Sequence, residues 1–582
     1  MATKSVSFSA RLTELLAFIY PDLDASILAT QVMEAFWPEG VHRRKRPRAP
    51  GNNLWSQRDA LLISYGDSLI DGTHKPLDVL HDFLLTHMKG VINGVHILPF
   101  FPFTSDDGFA VTDYTKVNST LGDWEDIQRI GGEFALMSDL VLNHVSSQGT
   151  WFNAYLQGIP PYDKFFFEAS PDDDLSDVVR PRTSPLLREV ETKNGTRHVW
   201  CTFSHDQVDL DYRNPEVLLE VLRIIRLHID NGVRILRLDA VAFLWKEIGT
   251  SSIHLPQTHA IIKLLRHLVN YATETVILLT ETNVPRTENL SYFGKRNEAH
   301  SVYNFPLPPL VLHAMMSGTA KYLLDWQRAM PPAPLGCAYL NFSASHDGIG
   351  MRPAEGLLPQ EEIDRMIDTV RDLGGLVSMR ALPDGGEAPY ELNTSFFEAT
   401  GRTFEGPDDH HVSRFLCSQT IVMSLEGIPA FYIHSMLATP NDRDAVLRRG
   451  MNRAINRHRW NYPELKESLS DPETVHARVL KLVSDRLRIR AEQPGLHPNA
   501  TNFTLNLEPR IFGIWRQSLD RTQSIFALHN VSKETVEIPA TQINLIDDEG
   551  WIDLLSGEEI RADQGAVVFA PYQCRWISNL PS

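Results

Sequence analysis

Residues 7–35 carry apolar side chains at Leu12, Leu15, Leu16, Ile19 and Tyr20, which predicts one helical stretch with a buried face. From residue 60 the texture changes. Short apolar runs recur: Leu61-Leu62-Ile63, Gly94-Val-His-Ile-Leu98, Phe134-Ala-Leu-Met137, Val141-Leu142, Val233-Arg-Ile-Leu236 and Val276-Ile-Leu-Leu279. Between them lie segments of helical spacing, such as 215–225 and 259–269. Strand, helix, strand at this spacing predicts βαβ units and a parallel sheet. Parallel strands are covered on both faces, so unbroken apolar runs are expected in place of alternation.

Polar residues sit directly after these runs. Leu98 leads into Pro-Phe-Phe-Pro-Phe-Thr-Ser-Asp106, Leu142 into Asn143-His144, Leu236 into Arg237-Leu-Asp239, and Leu279 into Thr280-Glu281. In a (β/α)8 barrel the carboxyl ends of the strands form one rim that carries the chemistry. The expected fold is therefore α/β, a (β/α)8 TIM barrel. It has a long insertion after strand 3, a second inserted subdomain, and a C-terminal antiparallel β domain read from alternating segments near 503–507, 511–515 and 524–528. The boundaries expected are an N-terminal helical extension and linker (1–55), barrel (56–142), inserted subdomain (143–213), barrel (214–348), second insertion (349–412), barrel (413–495) and β domain (496–582).

Composition changes this picture little. The 582 residues are 43% apolar and 22% charged, which excludes a disordered or fibrous chain. The formal charge of -18 disfavours nucleic acid and anionic lipid as partners. The basic stretch from Val41 to Gly51 reads as a solvated linker. Four scattered cysteines with no CxxC pair argue for reduced thiols in a cytoplasmic protein. No apolar run of about 18 residues predicts a membrane span.

The most informative pair is Asp239 and Glu281, each closing an apolar run. Two carboxyls at neighbouring strand ends can flank a glycosidic bond, one attacking the anomeric carbon and the other protonating the leaving oxygen; a separation of about 5–5.5 Å implies retention. The same placement also serves helix caps and structural ion pairs. Arg237 shares a strand face with Asp239 and would keep it ionised. His346-Asp347 follows Phe342-Ser-Ala-Ser345 and could grip sugar hydroxyls. Gly131-Gly132 and Gly385-Gly386 read as turns. The aromatics Trp151, Phe152 and Phe165-Phe-Phe167 read as the small core of the first insertion.

Taken in order, Ser138-Asp139-Leu-Val-Leu-Asn143-His144, Gly232-Val-Arg-Ile-Leu-Arg237-Leu-Asp239, Leu279-Thr-Glu281 and Phe342-Ser-Ala-Ser-His346-Asp347 resemble the four sequence regions of the α-amylase superfamily. That resemblance implies Asp239 as nucleophile, Glu281 as general acid/base and Asp347 as transition-state stabiliser, with His144, Arg237 and His346 binding the glucosyl unit. Tyr65-Gly-Asp-Ser-Leu-Ile-Asp-Gly-Thr73, Asp106-Asp-Gly-Phe109 and Ile455-Asn-Arg457 are similar to the sucrose phosphorylase group. By that likeness Asp106 and Arg457 hold the far hydroxyls of the ring, with Arg453 standing close by, and Phe109 shapes the pocket. Two residues depart from the group where phosphate and acceptor bind: Phe243 replaces a tyrosine, and Asn283 stands at the spacing of a histidine. The run from Phe243 to Gln257 and the continuation Met351-Arg352-Pro-Ala-Glu355 look more like glucosylglycerate phosphorylases.

The function implied is retaining phosphorolysis of a short α-glucoside, 2-O-α-glucosylglycerate first, to α-glucose 1-phosphate and the free acceptor. Sucrose, sucrose 6′-phosphate or glucosylglycerol as donor, a related α-glucosidase or transglucosidase, and a non-catalytic binding member of the superfamily are the alternatives. Phosphate is a co-substrate, so no cofactor is expected, and the protein is expected as a monomer or homodimer. An anionic acceptor and phosphate need a basic group, for which Arg352 is the candidate, an exposed loop arginine being the plain alternative. Asn143 and Asp209 carry oxygen ligands but no dense cluster, so no metal is expected.

Overall fold

Eight short strands close into a parallel barrel: β1 (Leu61–Ser64), β2 (Gly94–Ile97), β3 (Ala135–Val141), β4 (Val233–Asp239), β5 (Ile277–Thr280), β6 (Ser301–Tyr303), β7 (Ala338–Phe342) and β8 (Ile428–Tyr432). Each pairs with the next in chain order, and β8 returns to β1. The structure is a computed structural model. It describes residues 7–38, 54–273, 275–381, 386–543, 545, 550–561 and 565–579. Every residue of β1, β2, β7 and β8 is buried, as expected of strands packed on both faces. The apolar runs named above fall on β1 to β5. The barrel is completed by β6, only three residues long, by β7, and by β8, which contains Pro429.

The segment 7–35 is two helices, Phe8–Ile19 and Ala25–Phe36, and not one. The chain breaks at Tyr20 and Pro21. Proline cannot donate its backbone nitrogen in a helix interior, and the Asp24 carboxylate restarts the helix by accepting from the N–H groups of Ser26 and Ile27. Both helices pack on barrel helices, the first on Pro256–Ala272 and the second on Pro215–Asp230. Tyr20 Oη donates to the Tyr212 carbonyl at 3.0 Å. Gly131 and Gly132 are not a turn; they close the helix Trp124–Glu133, which starts with a capping box between Asp123 and Asp126. The 41–51 stretch and Gly385 lie outside the described residues.

After β3 the chain forms two antiparallel pairs, His144–Ser146 with Gln207–Asp209 and Leu187–Thr192 with Gly195–Trp200. Phe152, Phe165 and Phe166 join the main core, while Phe167 packs with Val178, Leu186 and Trp200 in a satellite core. Between β7 and β8 lies a three-stranded sheet in which Glu387–Asn393 is the middle strand, flanked by Ile349–Gly350 and Leu376–Ala381. The C-terminal residues form a six-stranded antiparallel sheet with its own core around Ile511, Phe526, Leu528 and Trp551. It is tied to the barrel by buried Arg516, which donates to the carbonyls of Ser424 at 2.6 Å and His497 at 2.8 Å. All four cysteines are buried thiols. Among the described residues no helix is long and apolar enough to cross a membrane.

Candidate active site

The register of β3 against β4 sets Asp139 beside Arg237 and Val141 beside Asp239. Arg237 and Asp239 are two apart on one strand and so face the same way. A single guanidinium nitrogen, Arg237 Nη1, donates to Asp139 Oδ1 at 2.5 Å and to Asp239 Oδ1 at 2.7 Å. Its Nε donates to Tyr303 Oη on β6 at 3.2 Å. From β2, His96 Nε2 meets the other Asp139 oxygen at 2.6 Å. Burial alone would raise the Asp139 carboxyl, but His96 and Arg237 bring it down to about 2. A fixed anion thus holds Arg237, and Arg237 holds Asp239.

Glu281 follows β5, and its Oε2 accepts the backbone N–H of Ala240, the residue after Asp239, at 3.1 Å. Ala240 sits at φ +48°, a left-handed conformation that costs a non-glycine residue roughly 1–3 kcal/mol and recurs at functional sites. Burial raises the carboxyls of both Asp239 and Glu281, and the Glu281 charge raises Asp239 further. Such a pair titrates as a unit. Arg237 hydrogen-bonds Asp239 and not Glu281, so the geometry favours charge on Asp239 and the proton on Glu281.

Asp347 lies beyond β7. Burial pushes its carboxyl up, yet Arg453, with Arg457 and Arg237, holds it below the usual range. Arg453 Nη1 is 2.7 Å from Asp347 Oδ1. His346 stacks on Phe109 with ring centroids 5.0 Å apart and 7° between planes. His144 Nε2 lies 3.0 Å from the Phe109 carbonyl, an acceptor only, so that nitrogen carries the proton. Burial pushes both histidines below their ordinary range, and they stay neutral. Asp106 accepts from Gln207 Nε2 at 3.3 Å.

One cavity opens at the carboxyl end of the barrel. Asp106, Phe109, His144, Arg237, Asp239, Glu281, Asn283, His346, Asp347 and Arg352 all border it. Arg457 does not. Its Nη1 donates to Asp107 at 2.5 Å, and both residues line a neighbouring cavity with Tyr65. Asp106 and Asp107, both at positive φ, face these two cavities in turn. Arg453 borders the catalytic cavity where sequence likeness pointed to Arg457. Among the residues that sequence reading missed are Arg182 and Gln207 of the first insertion and Tyr390 and Glu391 of the second. Arg182 lies over the Tyr390 ring at 5.1 Å. Neither its guanidinium nor that of Arg352 makes a hydrogen bond or ion pair among the described residues.

Asn143 and Asp209 do meet at a cation, but it is Lys246. Its Nζ lies 2.8 Å from Asn143 Oδ1, 3.0 Å from Asp209 Oδ2 and 2.8 Å from the Phe243 carbonyl, fully buried. Among the described residues no group of three or more His, Cys, Asp or Glu could hold a metal. Lys246→Met leaves Asp209 buried without its counter-charge. The expected loss is about 3 kcal/mol of unfolding free energy, read from urea midpoints.

A barrel with these carboxyls at its strand ends defines the class of protein, and a family model described as alpha amylase, catalytic domain, matches residues 84–335. Glucosylglycerate phosphorylase of Spirochaeta thermophila is 41% identical over 579 residues, covering 98% of this chain and 98% of the relative. The enzyme of that name from Allomeiothermus silvanus is 42% identical over 525 residues, 90% of this chain and 91% of its own. The crystal structure of sucrose 6F-phosphate phosphorylase from Thermoanaerobacter thermosaccharolyticum superposes with a TM-score of 0.71 at 24% identity, over 88% of this chain and 98% of that one. The chain belongs to the α-amylase family, among its glycoside phosphorylases.

Proposed function

We propose that the protein is a retaining α-glucoside phosphorylase that converts 2-O-α-glucosylglycerate and inorganic phosphate to α-glucose 1-phosphate and glycerate. Support comes from the relatives' names and from one observation. Two arginines that make no ion pair among the described residues, Arg182 and Arg352, border the same cavity as the Asp239/Glu281 pair. Both phosphate and the carboxylate of glycerate need such cations, because an anion brought up to three carboxyls without them is repelled.

Asp239, held by Arg237, attacks the anomeric carbon while Glu281 gives its proton to the leaving glycerate oxygen. The result is a β-glucosyl ester on Asp239. Phosphate, placed by the arginines, then attacks the same carbon and releases Asp239; Glu281 takes up whatever proton the nucleophile carries. Two inversions give net retention. Asp347, with His144 and His346, faces the glucosyl ring and supports its developing positive charge. Asp106 takes ring hydroxyls on the far side, and Asn283 stands beside the acceptor. Phosphate is the co-substrate and no cofactor is invoked. Four buried thiols and no disulfide fit a cytoplasmic enzyme.

The test is phosphate-dependent release of α-glucose 1-phosphate from glucosylglycerate, glucosylglycerol, sucrose and sucrose 6′-phosphate. Release from glucosylglycerate is expected to lead. Free glucose with no phosphorolysis would make the enzyme a hydrolase. Arg182→Ala and Arg352→Ala are each expected to raise the KM for phosphate or glycerate by roughly 10–100-fold, the size of one charge-assisted hydrogen bond. Unchanged KM values for both anions would remove the arginines from this role.

A further inference from the structure

The middle strand of the second inserted sheet, Glu387–Asn393, delivers a carboxylate to the cavity wall that the reaction steps above leave unused. Glu391 is 2% exposed. Its two oxygens take both Nε and Nη2 of Arg453, at 3.0 and 2.5 Å. The remaining arm of the same guanidinium, Nη1, is the one that meets Asp347 Oδ1 at 2.7 Å. Three segments far apart in sequence, at 347, 391 and 453, therefore converge on one planar group.

We infer that Glu391 is a positioning residue for the reaction: its two-pronged hold on Arg453 fixes the guanidinium arm that aims Asp347 at the glucosyl group. This rests on the reading that Asp347 faces the reacting sugar. The geometry argues for it in three ways. A fork-to-fork pair fixes the guanidinium plane as a single contact cannot, so the direction of Nη1 is set by Glu391. Glu391 is itself held, because its strand pairs on both sides, with Ser378 and with Gly350. Arg453 belongs to a short 3-10 segment, Asn452–Asn456, which gives it no rigid helix to stand on. Freed from Glu391, Arg453 can follow Asp347 or collapse onto it, and either displaces a carboxylate that must meet the sugar within tenths of an ångström.

Glu391→Gln keeps the size and one acceptor but loses the charge and half of the fork. The expected result is a fall in kcat of roughly 10- to 100-fold, the size expected for a misplaced group. The KM for phosphate stays within about threefold, as suits loss of an interaction made in the transition state. Arg453→Lys reads the same link from its other end, and serves alone if Glu391→Gln does not fold. Because the two residues act as one device, the double variant is expected to be no slower than the worse single variant. A kcat within about twofold of the parent for either folded single variant overturns the inference, as do losses that multiply in the double variant. Asp347→Asn separates the two ideas. If it leaves kcat unchanged, the reading of Asp347 itself fails; if it abolishes turnover while the Glu391 and Arg453 variants do not slow it, only the positioning role fails.

Discussion

Asp239→Asn is expected to stay folded and to release α-glucose 1-phosphate at least about 10⁴-fold more slowly than the parent, the scale on which removal of a catalytic nucleophile is felt. An amide of the same shape cannot displace a glycosidic oxygen. Its carbonyl can still accept from Arg237, and Arg237 keeps its bonds to Asp139 and Tyr303, so the floor of the cavity is preserved. The substitution also removes a buried charge. The thermal midpoint is therefore expected to hold or rise, because burial works against the charged form of Asp239. Timed assay of glucose 1-phosphate together with a melting curve checks both halves. A folded variant with near-parental rate would mean that another group attacks.

The second large effect is expected at Glu281→Gln, and it depends on the leaving group. With glucosylglycerate the loss is expected to reach roughly 10²–10⁴-fold, the usual contribution of a positioned acid. With α-glucosyl fluoride, whose fluoride departs without a proton, the first step should retain most of its rate. The pH profile carries the same information. Burial raises the Glu281 carboxyl, so the acid form persists above the ordinary carboxylate range and is lost as pH rises through the raised value. The parent is expected to show a falling basic limb in kcat/KM for the glycoside, and Glu281→Gln acting on the fluoride should show none. Equal losses on both substrates would reassign Glu281 from acid to structural support.

How far the site could be read from sequence follows from where each side chain sits. Asp239, Glu281 and His346-Asp347 come directly after apolar runs, and a barrel gathers strand ends on one rim. Those residues could be named because their neighbours in sequence are their landmarks. Arg182 and Glu391 belong to insertions. Nothing in their local pattern says which way the insertion folds back, and only the tertiary packing brings them to the cavity. His96 lies inside an apolar run, and its value comes from the register of β2 and β3 that lets it reach Asp139. Arg453 and Arg457 are one helical turn apart, and a 3-10 stretch rotates them to different cavities. The same limit applies to the scaffold: β6 is too short for a periodicity signal, and the break at Pro21 needed proline to outweigh an apolar pattern that runs past it.

Lys246 has a consequence for how the first insertion stays attached to the barrel. A cation supplied by the chain has no free concentration and no exchange with solvent, so its occupancy is not subject to mass action. Dilution cannot empty that position. The joint between Asn143, Asp209 and the Phe243 turn therefore opens only when the segment carrying Lys246 itself moves away. The turn after β4, which borders the catalytic cavity through Ala240 and Phe243, is thereby committed to the same arrangement as the insertion that supplies Arg182. The cavity walls that carry Phe243 and Arg182 are thereby joined through a cation that cannot dissociate from the chain.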